Sequence, residues 1–245
     1  MKRLALVALT LLLTACGQPG AAPASSPAST PAATPAIVFA AASLNTVFPS
    51  IAEATYSFDG SSGLVDQLQG GAPADVFASA DKKNMDRAVA AGLIDGDPAM
   101  FATNYLVLIT PADNPGAVTG FNSSLDGKKL VICSPDVPCG AATQKAATAN
   151  NLSLTPVSEE SKVTDVLGKV SAGEADAGLV YATDAAKAGS AVKVFDVPGA
   201  KDDPNTYWIG VVKGAPNKAS ATAFIATVLG EGQAKLSAFG FGPPQ

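Results

Sequence analysis

The sequence predicts an α/β fold, because short apolar segments rich in β-branched residues alternate along it with segments of helical periodicity. Seven segments are typical of strands, at residues 37–40, 75–79, 105–110, 130–133, 177–180, 192–195 and 207–212. Eight segments are typical of helices, at residues 44–54, 63–68, 82–91, 141–149, 162–172, 183–188, 219–229 and 231–238. This alternation favours mainly parallel strand pairing, with ligands bound where strands end and helices begin.

The first helical segment begins directly after Ser43. An apolar run that is typical of a buried strand ends at this serine. The apolar residues that follow recur at the i, i+3, i+4 and i+7 positions of a helix, as Leu44, Val47, Phe48 and Ile51. Pro49 falls inside this pattern, so we expect it to kink the helix or restart it.

A second serine, Ser61, lies at the next predicted helix start. It belongs to the turn sequence Gly60-Ser-Ser-Gly63, after which Leu64 and Leu68 begin another apolar stripe. A serine at a helix start can cap the free N–H groups of the first turn. The same N–H groups, the hydroxyl and the positive end of the helix dipole can also bind an anion. Taken one serine at a time, both roles stay open.

Composition excludes several kinds of catalysis. The 245-residue chain has no histidine, and its only arginines are Arg3 and Arg87. Without histidine it has no Ser-His-Asp triad, Cys-His pair or zinc-histidine site. It also lacks a Gly-x-Ser-x-Gly motif, and the glycines of residues 120–128 do not have P-loop spacing. A net charge of −5 argues against nucleic acid as a partner.

The N-terminal segment is predicted to direct export. Residues 1–15 have the features of a signal peptide, with two basic residues before an apolar run that is too short to span a bilayer. Leu13-Thr-Ala-Cys16 resembles a bacterial lipobox, in which Cys16 is lipidated; the alternative is an ordinary cleaved signal peptide. The Ala-, Pro- and Ser-rich residues that follow as far as 36 are predicted to form a flexible linker. We therefore expect an exported protein, held by a lipid at the outer face of the cytoplasmic membrane or in the periplasm.

The other two cysteines are predicted to form a disulfide. Cys133 and Cys139 are the ends of the segment Cys133-Ser-Pro-Asp-Val-Pro-Cys139. In an exported protein an even pair this close favours a disulfide, whereas a metal site would need more ligands than two cysteines. We expect the bond to stiffen the turn before the helix that starts near Gly140.

Three further joints between strands and helices carry candidate binding groups. Cys139 precedes a helix in Val137-Pro-Cys-Gly140, and Val163 lies at the start of the helix after it. Tyr181 ends a strand in Gly178-Leu-Val-Tyr-Ala-Thr-Asp184. On its own, Tyr181 would be interpreted as a half-buried core aromatic with its hydroxyl at the surface.

Taken in order, five groups of segments resemble the periplasmic molybdate-binding proteins of ABC importers. They are Ala41-Ala-Ser-Leu44, Gly60-Ser-Ser-Gly-Leu64, Gly71-Ala-Pro-Ala-Asp-Val-Phe77 with Ser79-Ala-Asp81, Val137-Pro-Cys-Gly140 and Gly178-Leu-Val-Tyr-Ala-Thr-Asp184. The resemblance covers residues 37–241 and implies a type II periplasmic-binding fold, in which two crossover segments join two α/β lobes around a ligand cleft. The crossovers would be residues 105–110 and 207–212. Lobe 1 would comprise residues 37–108 and 208–245, and lobe 2 residues 109–207.

The resemblance also implies a set of contacts to an oxyanion. They are the hydroxyl and N–H of Ser43, the hydroxyl of Ser61 (or of Ser62 if the alignment slips by one residue), the backbone N–H groups of Cys139 and Val163, and the hydroxyl of Tyr181. Molybdate at neutral pH is a dianion with no proton to donate, so a site made of donors suits it. We therefore expect a monomeric binding protein, not an enzyme and without a cofactor, that captures molybdate or the similarly sized tungstate and delivers it to an ABC permease.

Alternatives remain open at this point. Within the same class, the ligand could be sulfate, phosphate or a ferric complex, although ferric sites typically use tyrosine clusters and no two of the four tyrosines are adjacent. From other classes, the chain could be an exported hydrolase or transferase. It could also be an adhesin or structural lipoprotein in which the serines only cap helices.

Overall fold

The computed structural model describes residues 34–245. The predicted signal peptide, the lipidation site at Cys16 and most of the predicted linker lie outside the described residues. In the described part of the chain, no helix is both long enough and apolar enough to cross a membrane.

Ten strands form two five-stranded sheets within residues 34–245. In order across the first sheet, the strands are β2 (Thr55–Asp59), β1 (Ile37–Ala41), β3 (Val76–Ser79), β10 (Asn205–Val212) and β4 (Ile94–Asn104). In order across the second sheet, they are β7 (Ser158–Glu160), β6 (Leu130–Cys133), β8 (Ala177–Tyr181), β5 (Leu106–Pro111) and β9 (Val192–Asp196).

Helices pack on both sheets and define two lobes. Lobe 1 is the first sheet with α1 (Phe48–Ile51), α2 (Ser61–Gln69), α3 (Lys82–Ala90), α7 (Lys218–Leu229) and α8 (Gly232–Ala238). Lobe 2 is the second sheet with α4 (Pro138–Ala149), α5 (Val163–Ser171) and α6 (Ala182–Ala188). Short 3₁₀ turns occupy Ala42–Leu44, Ser123–Leu125 and Gly189–Ala191. The α/β class is confirmed.

The prediction of mainly parallel pairing is wrong, because each sheet is mixed. β1 is parallel to β2 and β3, and β6 is parallel to β7 and β8. In contrast, β10 is antiparallel to β3 and β4, and β5 is antiparallel to β8 and β9. β5 and β10 are the strands that follow a passage from one sheet to the other. In each sheet, the strand that follows a passage therefore runs opposite to both strands that it pairs with.

The two passages between the lobes differ from the predicted crossovers, because the first is shorter and the second lies earlier in the chain. Tyr105 alone separates the end of β4 from the start of β5, and residues 197–204 lead from β9 to β10. The segments 105–110 and 207–212, predicted as crossovers, lie almost entirely within β5 and β10. The predicted lobe boundaries at 108 and 207 thus fall inside strands, whereas the sheets change at Tyr105 and before Asn205.

The first predicted helix is interrupted, as the position of its proline requires. A 3₁₀ turn at Ala42–Leu44 is followed by a separate short helix, α1, which has Pro49 in its first turn. Proline is tolerated there because the first N–H groups of a helix have no partner within it. The expected restart at Pro49 is confirmed, and it leaves Ser43 inside the 3₁₀ turn directly after β1.

Candidate ligand-binding site

A small cavity of about 10 Å³ lies where strands of both sheets end. Its lining residues are Ala41, Ala42, Ser43, Asp59, Gly60, Ser61, Ala80, Val137, Pro138, Cys139, Val163 and Tyr181. The set includes Ser43, Ser61, Cys139, Val163 and Tyr181, the five residues that the sequence predicts as contacts. A larger cavity of about 410 Å³ near Tyr105 contains none of these five. We therefore place the candidate site in the small cavity, where the predicted groups converge.

Ser62 is directed elsewhere. It borders a neighbouring cleft of about 570 Å³ together with Asp66, Arg87 and Asp136. Ser61 is 1% exposed and lines the small cavity, whereas Ser62 is only half-buried. Of the two serines between which the alignment could slip, Ser61 is the one that lies beside the other predicted residues.

Four helices begin at the cavity, although the first N–H of α6, that of Ala182, already donates to the carbonyl oxygen of Tyr105 at 2.9 Å. Ser61 and Val163 are the first residues of α2 and α5, Cys139 is the second residue of α4, and Tyr181 directly precedes α6. N–H groups in a first helical turn have no partner within their own helix. Among the described residues, those that precede these four helices make no side-chain capping hydrogen bond. The free N–H groups therefore form a surface that favours negative charge.

Neither predicted serine acts as a helix cap. Ser43 lies within the 3₁₀ turn, and the residue that precedes α2 is Gly60 rather than Ser61. A true cap occurs at α3, where the carboxylate of Asp81 accepts a hydrogen bond of 2.9 Å from the N–H of Asn84. Unlike Asp81, the two serines therefore make no capping hydrogen bond.

The Ser61 and Tyr181 hydroxyls are held so that each can donate a proton. Ser61 Oγ accepts from the N–H of Ala80 at 3.1 Å, and Tyr181 Oη accepts from Asn205 Nδ2 at 2.9 Å. The same Nδ2 donates to the carbonyl oxygen of Ala80 at 3.1 Å, and because a carbonyl only accepts, this contact fixes the orientation of the amide. Each hydroxyl accepts one bond from the protein and keeps its own proton for a further acceptor.

The third hydroxyl, that of Ser43, is paired with a second tyrosine. Ser43 Oγ and Tyr207 Oη lie 2.9 Å apart, and either atom can be the donor. Burial raises the pKa of Tyr207 and of Tyr181 well above the usual value for tyrosine. Both phenols therefore stay protonated at neutral pH and remain available as donors.

The charge of the cavity is unusual for an anion site. Within the described part of the chain, no lysine or arginine lines it, and its one ionisable carboxyl group is Asp59. Asp59 Oδ1 accepts from the N–H of Gly60 at 2.8 Å, and Oδ2 accepts from Gln67 Nε2 at 3.2 Å. Both carboxylate oxygens are thus occupied by α2 and the residue before it.

Metal cations have no evident site in the described residues. In residues 34–245, no three or more Cys, Asp or Glu side chains are grouped so that they could hold a metal ion. The predicted disulfide between Cys133 and Cys139 is confirmed. It ties the end of β6 to the first turn of α4, the turn that contributes Cys139 to the cavity.

Several residues at the site escaped the sequence analysis. Tyr207 and Asn205 position the hydroxyls of Ser43 and Tyr181, Ala80 positions that of Ser61, and Asp59 and Gly60 line the cavity directly. The sequence did contain a signal for Tyr207, because a tyrosine at the start of an apolar strand often has a buried hydroxyl. Asn205 and Ala80 carried none, because their roles depend on contacts between segments far apart in sequence.

A buried carboxyl group next to the site makes stability depend on pH. Asp184, the third residue of α6, is 4% exposed, and its Oδ2 has no hydrogen-bond partner. Burial raises the pKa of Asp184 from 3.8 to about 7. The native state therefore keeps the carboxyl proton of Asp184 over a pH range in which the unfolded chain loses it. This stabilisation is fully present below about pH 4. It is lost as the pH rises to about 7, which lowers the free energy of unfolding by on the order of 4 kcal/mol.

Asp184→Asn is expected to increase the free energy of unfolding at pH 8 by on the order of 4 kcal/mol, because a neutral amide replaces a buried carboxylate that lacks one partner. The gain should vanish at pH 4. Urea unfolding at both pH values measures it. Asp165→Asn is the matched control, because Asp165 is the third residue of α5 and is only half-buried. A gain of the same size at both pH values would contradict the assignment.

The sequence and the fold both have relatives among known proteins. Residues 28–242 match the family described as bacterial extracellular solute-binding protein. The chain is 44% identical over 220 residues to the molybdate-binding protein ModA of Mycobacterium tuberculosis H37Rv, covering 85% of this chain and 84% of that protein. It is 34% identical over 210 residues to ModA of Escherichia coli K12, covering 76% and 80%. The periplasmic molybdate-binding protein of Azotobacter vinelandii has a similar structure, with a TM-score of 0.75 at 23% identity over 86% of this chain and 100% of that one.

Proposed function

The chain belongs to the bacterial extracellular solute-binding proteins and is related within them to the molybdate-binding proteins ModA, and from this premise we propose that it binds molybdate in the small cavity between its lobes. Its two mixed sheets form the two-lobed type II periplasmic-binding fold. As a family member it acts outside the cytoplasm, as the substrate-binding component of an ABC importer.

The observation that carries the proposal is the convergence of neutral donors on one cavity. Ser61 and Tyr181 each keep a hydroxyl proton, Ser43 shares its hydrogen bond with Tyr207, and the first turns of α4 and α5 add N–H groups. Molybdate carries two negative charges and accepts hydrogen bonds on every oxygen. Bonds to a charged group contribute roughly 1.5–3 kcal/mol each. Five of them would give on the order of 10 kcal/mol before the costs of association, which suffices for sub-micromolar affinity.

Closure of the lobes follows from how the donors are divided. Ser43 and Ser61 belong to lobe 1, and Cys139, Val163 and Tyr181 belong to lobe 2. A ligand that needs both sets binds the closed arrangement better than an open one, so it shifts the population towards closure. We propose that the permease recognises this closed form. The chain thus acts as a carrier and not as an enzyme, and tungstate, nearly the same size as molybdate, is a second ligand.

The proposal also covers the location of the protein and its monomeric state. The lipobox-like sequence at Cys16 supports a lipid anchor, so that the binding domain would be tethered at the outer face of the membrane by the Ala- and Pro-rich linker. Each ligand group named above comes from a single chain, which supports a monomer as the binding unit. No cofactor enters this account.

A second oxyanion is favoured by one specific observation, the carboxylate of Asp59 at the cavity wall. A carboxylate repels a dianion and accepts a hydrogen bond from a protonated ion such as hydrogen phosphate. Each Asp59 oxygen already accepts one hydrogen bond within lobe 1, from Gly60 and from Gln67, and the other polar groups named at the cavity are donors, which suit a fully deprotonated ion. Molybdate is therefore the better candidate, with phosphate as the alternative to test.

A thermal-shift panel separates these ligands. Molybdate and tungstate, each at about 1,000 times its dissociation constant, should stabilise the protein by about 4 kcal/mol, which for a domain of this size raises the melting temperature by roughly 10 °C. Sulfate, phosphate and chloride at the same concentration should raise it far less. A shift with phosphate alone would support the alternative, and no shift with any of the ions would refute the proposal.

A further inference from the structure

Gly60 lies at the cavity, where its backbone closely approaches the opposite lobe. It is a buried residue between β2 and α2 in lobe 1, and it lines the small cavity. A Cβ atom added to Gly60 would lie 2.1 Å from the carbonyl oxygen of Ser161 and 2.9 Å from Cγ1 of Val137. Both neighbours belong to lobe 2, where Val137 precedes α4 and Ser161 precedes α5. The missing side chain therefore makes room for the opposite lobe.

The conformation of Gly60 does not itself require glycine. Its φ of −62° and ψ of 139° lie in the extended region, which every residue type adopts. Within its own lobe, Gly60 donates its N–H to Asp59 and its carbonyl accepts from Leu64. A side chain would leave both of these hydrogen bonds in place. The three atoms nearest to such a Cβ all come from lobe 2.

Two other hydrogen bonds across the lobes can adjust, whereas this contact cannot. Asn84 Nδ2 reaches the carbonyl oxygen of Asp136 at 3.4 Å, and Lys187 Nζ reaches Asn45 Oδ1 at 3.1 Å. Both contacts are made by side chains that can change rotamer. At Gly60 the opposing group is the backbone carbonyl of Ser161, which is held between β7 and α5 and has little freedom to move aside.

We propose that Gly60 is a positioning residue that sets how far the lobes close over the ligand. The inference rests on the proposed function, because closure matters only if both lobes hold the same ion. A methyl group at Gly60 would keep Ser161 at least about 1 Å further away, since contacts under 3.0 Å are essentially not tolerated. The N–H groups of Cys139 and Val163 and the hydroxyl of Tyr181 would then retreat from an ion held by lobe 1. A hydrogen bond stretched to about 3.6 Å is effectively lost.

Gly60→Ala tests this directly, with Gly63→Ala as the matched control. Gly63 lies in α2, only three positions further along, and a Cβ there would meet nothing closer than Asp59 Oδ2 at 3.6 Å, an ordinary contact. Titration calorimetry with sodium molybdate should give a dissociation constant at least tenfold weaker for Gly60→Ala and unchanged for Gly63→Ala. Small-angle X-ray scattering should show that molybdate compacts the parent and the control but compacts Gly60→Ala less. The ligand-free melting temperature of Gly60→Ala should match that of the parent.

Each contrary result is decisive. If Gly60→Ala bound molybdate as tightly as the parent and became as compact on binding, the inference would be overturned while the proposed function stands. A large drop in the melting temperature of ligand-free Gly60→Ala would also overturn it, because the glycine would then be needed for folding rather than for closure. Failure of the parent protein to bind molybdate would refute the proposed function, and the inference with it.

Discussion

Replacing Tyr181 by phenylalanine is expected to weaken molybdate binding by about 10- to 100-fold. The Tyr181 hydroxyl already accepts from Asn205, so its own proton is the one available to a ligand in the cavity. A hydrogen bond to a charged group contributes roughly 1.5–3 kcal/mol, and about 1.4 kcal/mol corresponds to a tenfold change in affinity. Removing one oxygen atom therefore removes one donor from a site that lacks a positive side chain to compensate.

The ligand-free protein should tolerate this change. Without the Tyr181 hydroxyl, Asn205 Nδ2 still donates to the carbonyl oxygen of Ala80, and the aromatic ring keeps its contact with Tyr207. Titration calorimetry measures the affinity, and thermal unfolding without ligand checks the fold. Tyr105→Phe is the control, since Tyr105 lies at the passage between the lobes and borders the larger cavity instead. An equal loss of affinity in both variants, or no loss in Tyr181→Phe, would remove the phenol from the site.

Asp75→Ala is expected to lower the free energy of unfolding by about 3–5 kcal/mol. Asp75 is fully buried at the start of β3. Its Oδ2 accepts from the N–H of Ile37 at 2.7 Å and from Asn217 Nδ2 at 3.1 Å, and its Oδ1 accepts from the N–H of Asn217 at 2.6 Å. One carboxylate thus ties β1 and the segment before α7 to the middle of the first sheet. Removing it leaves several buried donors without a partner, which is among the most costly kinds of substitution.

Urea unfolding of the ligand-free protein measures this loss, and the melting temperature should fall by roughly 10 °C. Asp113→Ala is the control, because Asp113 is exposed in a loop after β5 and should change stability by less than about 0.5 kcal/mol. A loss below about 1 kcal/mol in Asp75→Ala would show that water can replace the carboxylate, contrary to the burial of the site.

The sequence was sufficient to predict the central strands and the edge strand β9, but not the other three edge strands. All three strands that were missed, β2, β4 and β7, lie at the edge of a sheet. An edge strand packs less apolar surface, so its sequence need not show a continuous apolar run. β7 contains two glutamates in three residues, and β4 contains both Gly96 and Pro98. Proline is tolerated at an edge because one side of the strand needs no ladder hydrogen bonds. Glycine and proline are typical of turns, so no strand was predicted at β4.

The predicted site residues came from short local segments and from the family resemblance that those segments carry, and the rest of the site did not. A serine at the end of an apolar run and a tyrosine at the end of a strand are visible in a single segment. The structure brings these segments together because strand ends and helix starts from both sheets face one cavity. The groups that aim the hydroxyls, Asn205, Tyr207 and the N–H of Ala80, come from distant segments. Their roles depend on how β10 and β3 pair, which no local pattern specifies.

Anomalous X-ray diffraction from crystals grown with molybdate, recorded at the molybdenum absorption edge, is the most direct test of the central claim. We expect one strong anomalous peak between the lobes, with the surrounding oxygens in hydrogen-bonding range of Ser43, Ser61, Tyr181 and the N–H groups of Cys139 and Val163. A peak located elsewhere, or one coordinated by lysine, arginine or carboxylate side chains, would contradict a cage built from neutral donors.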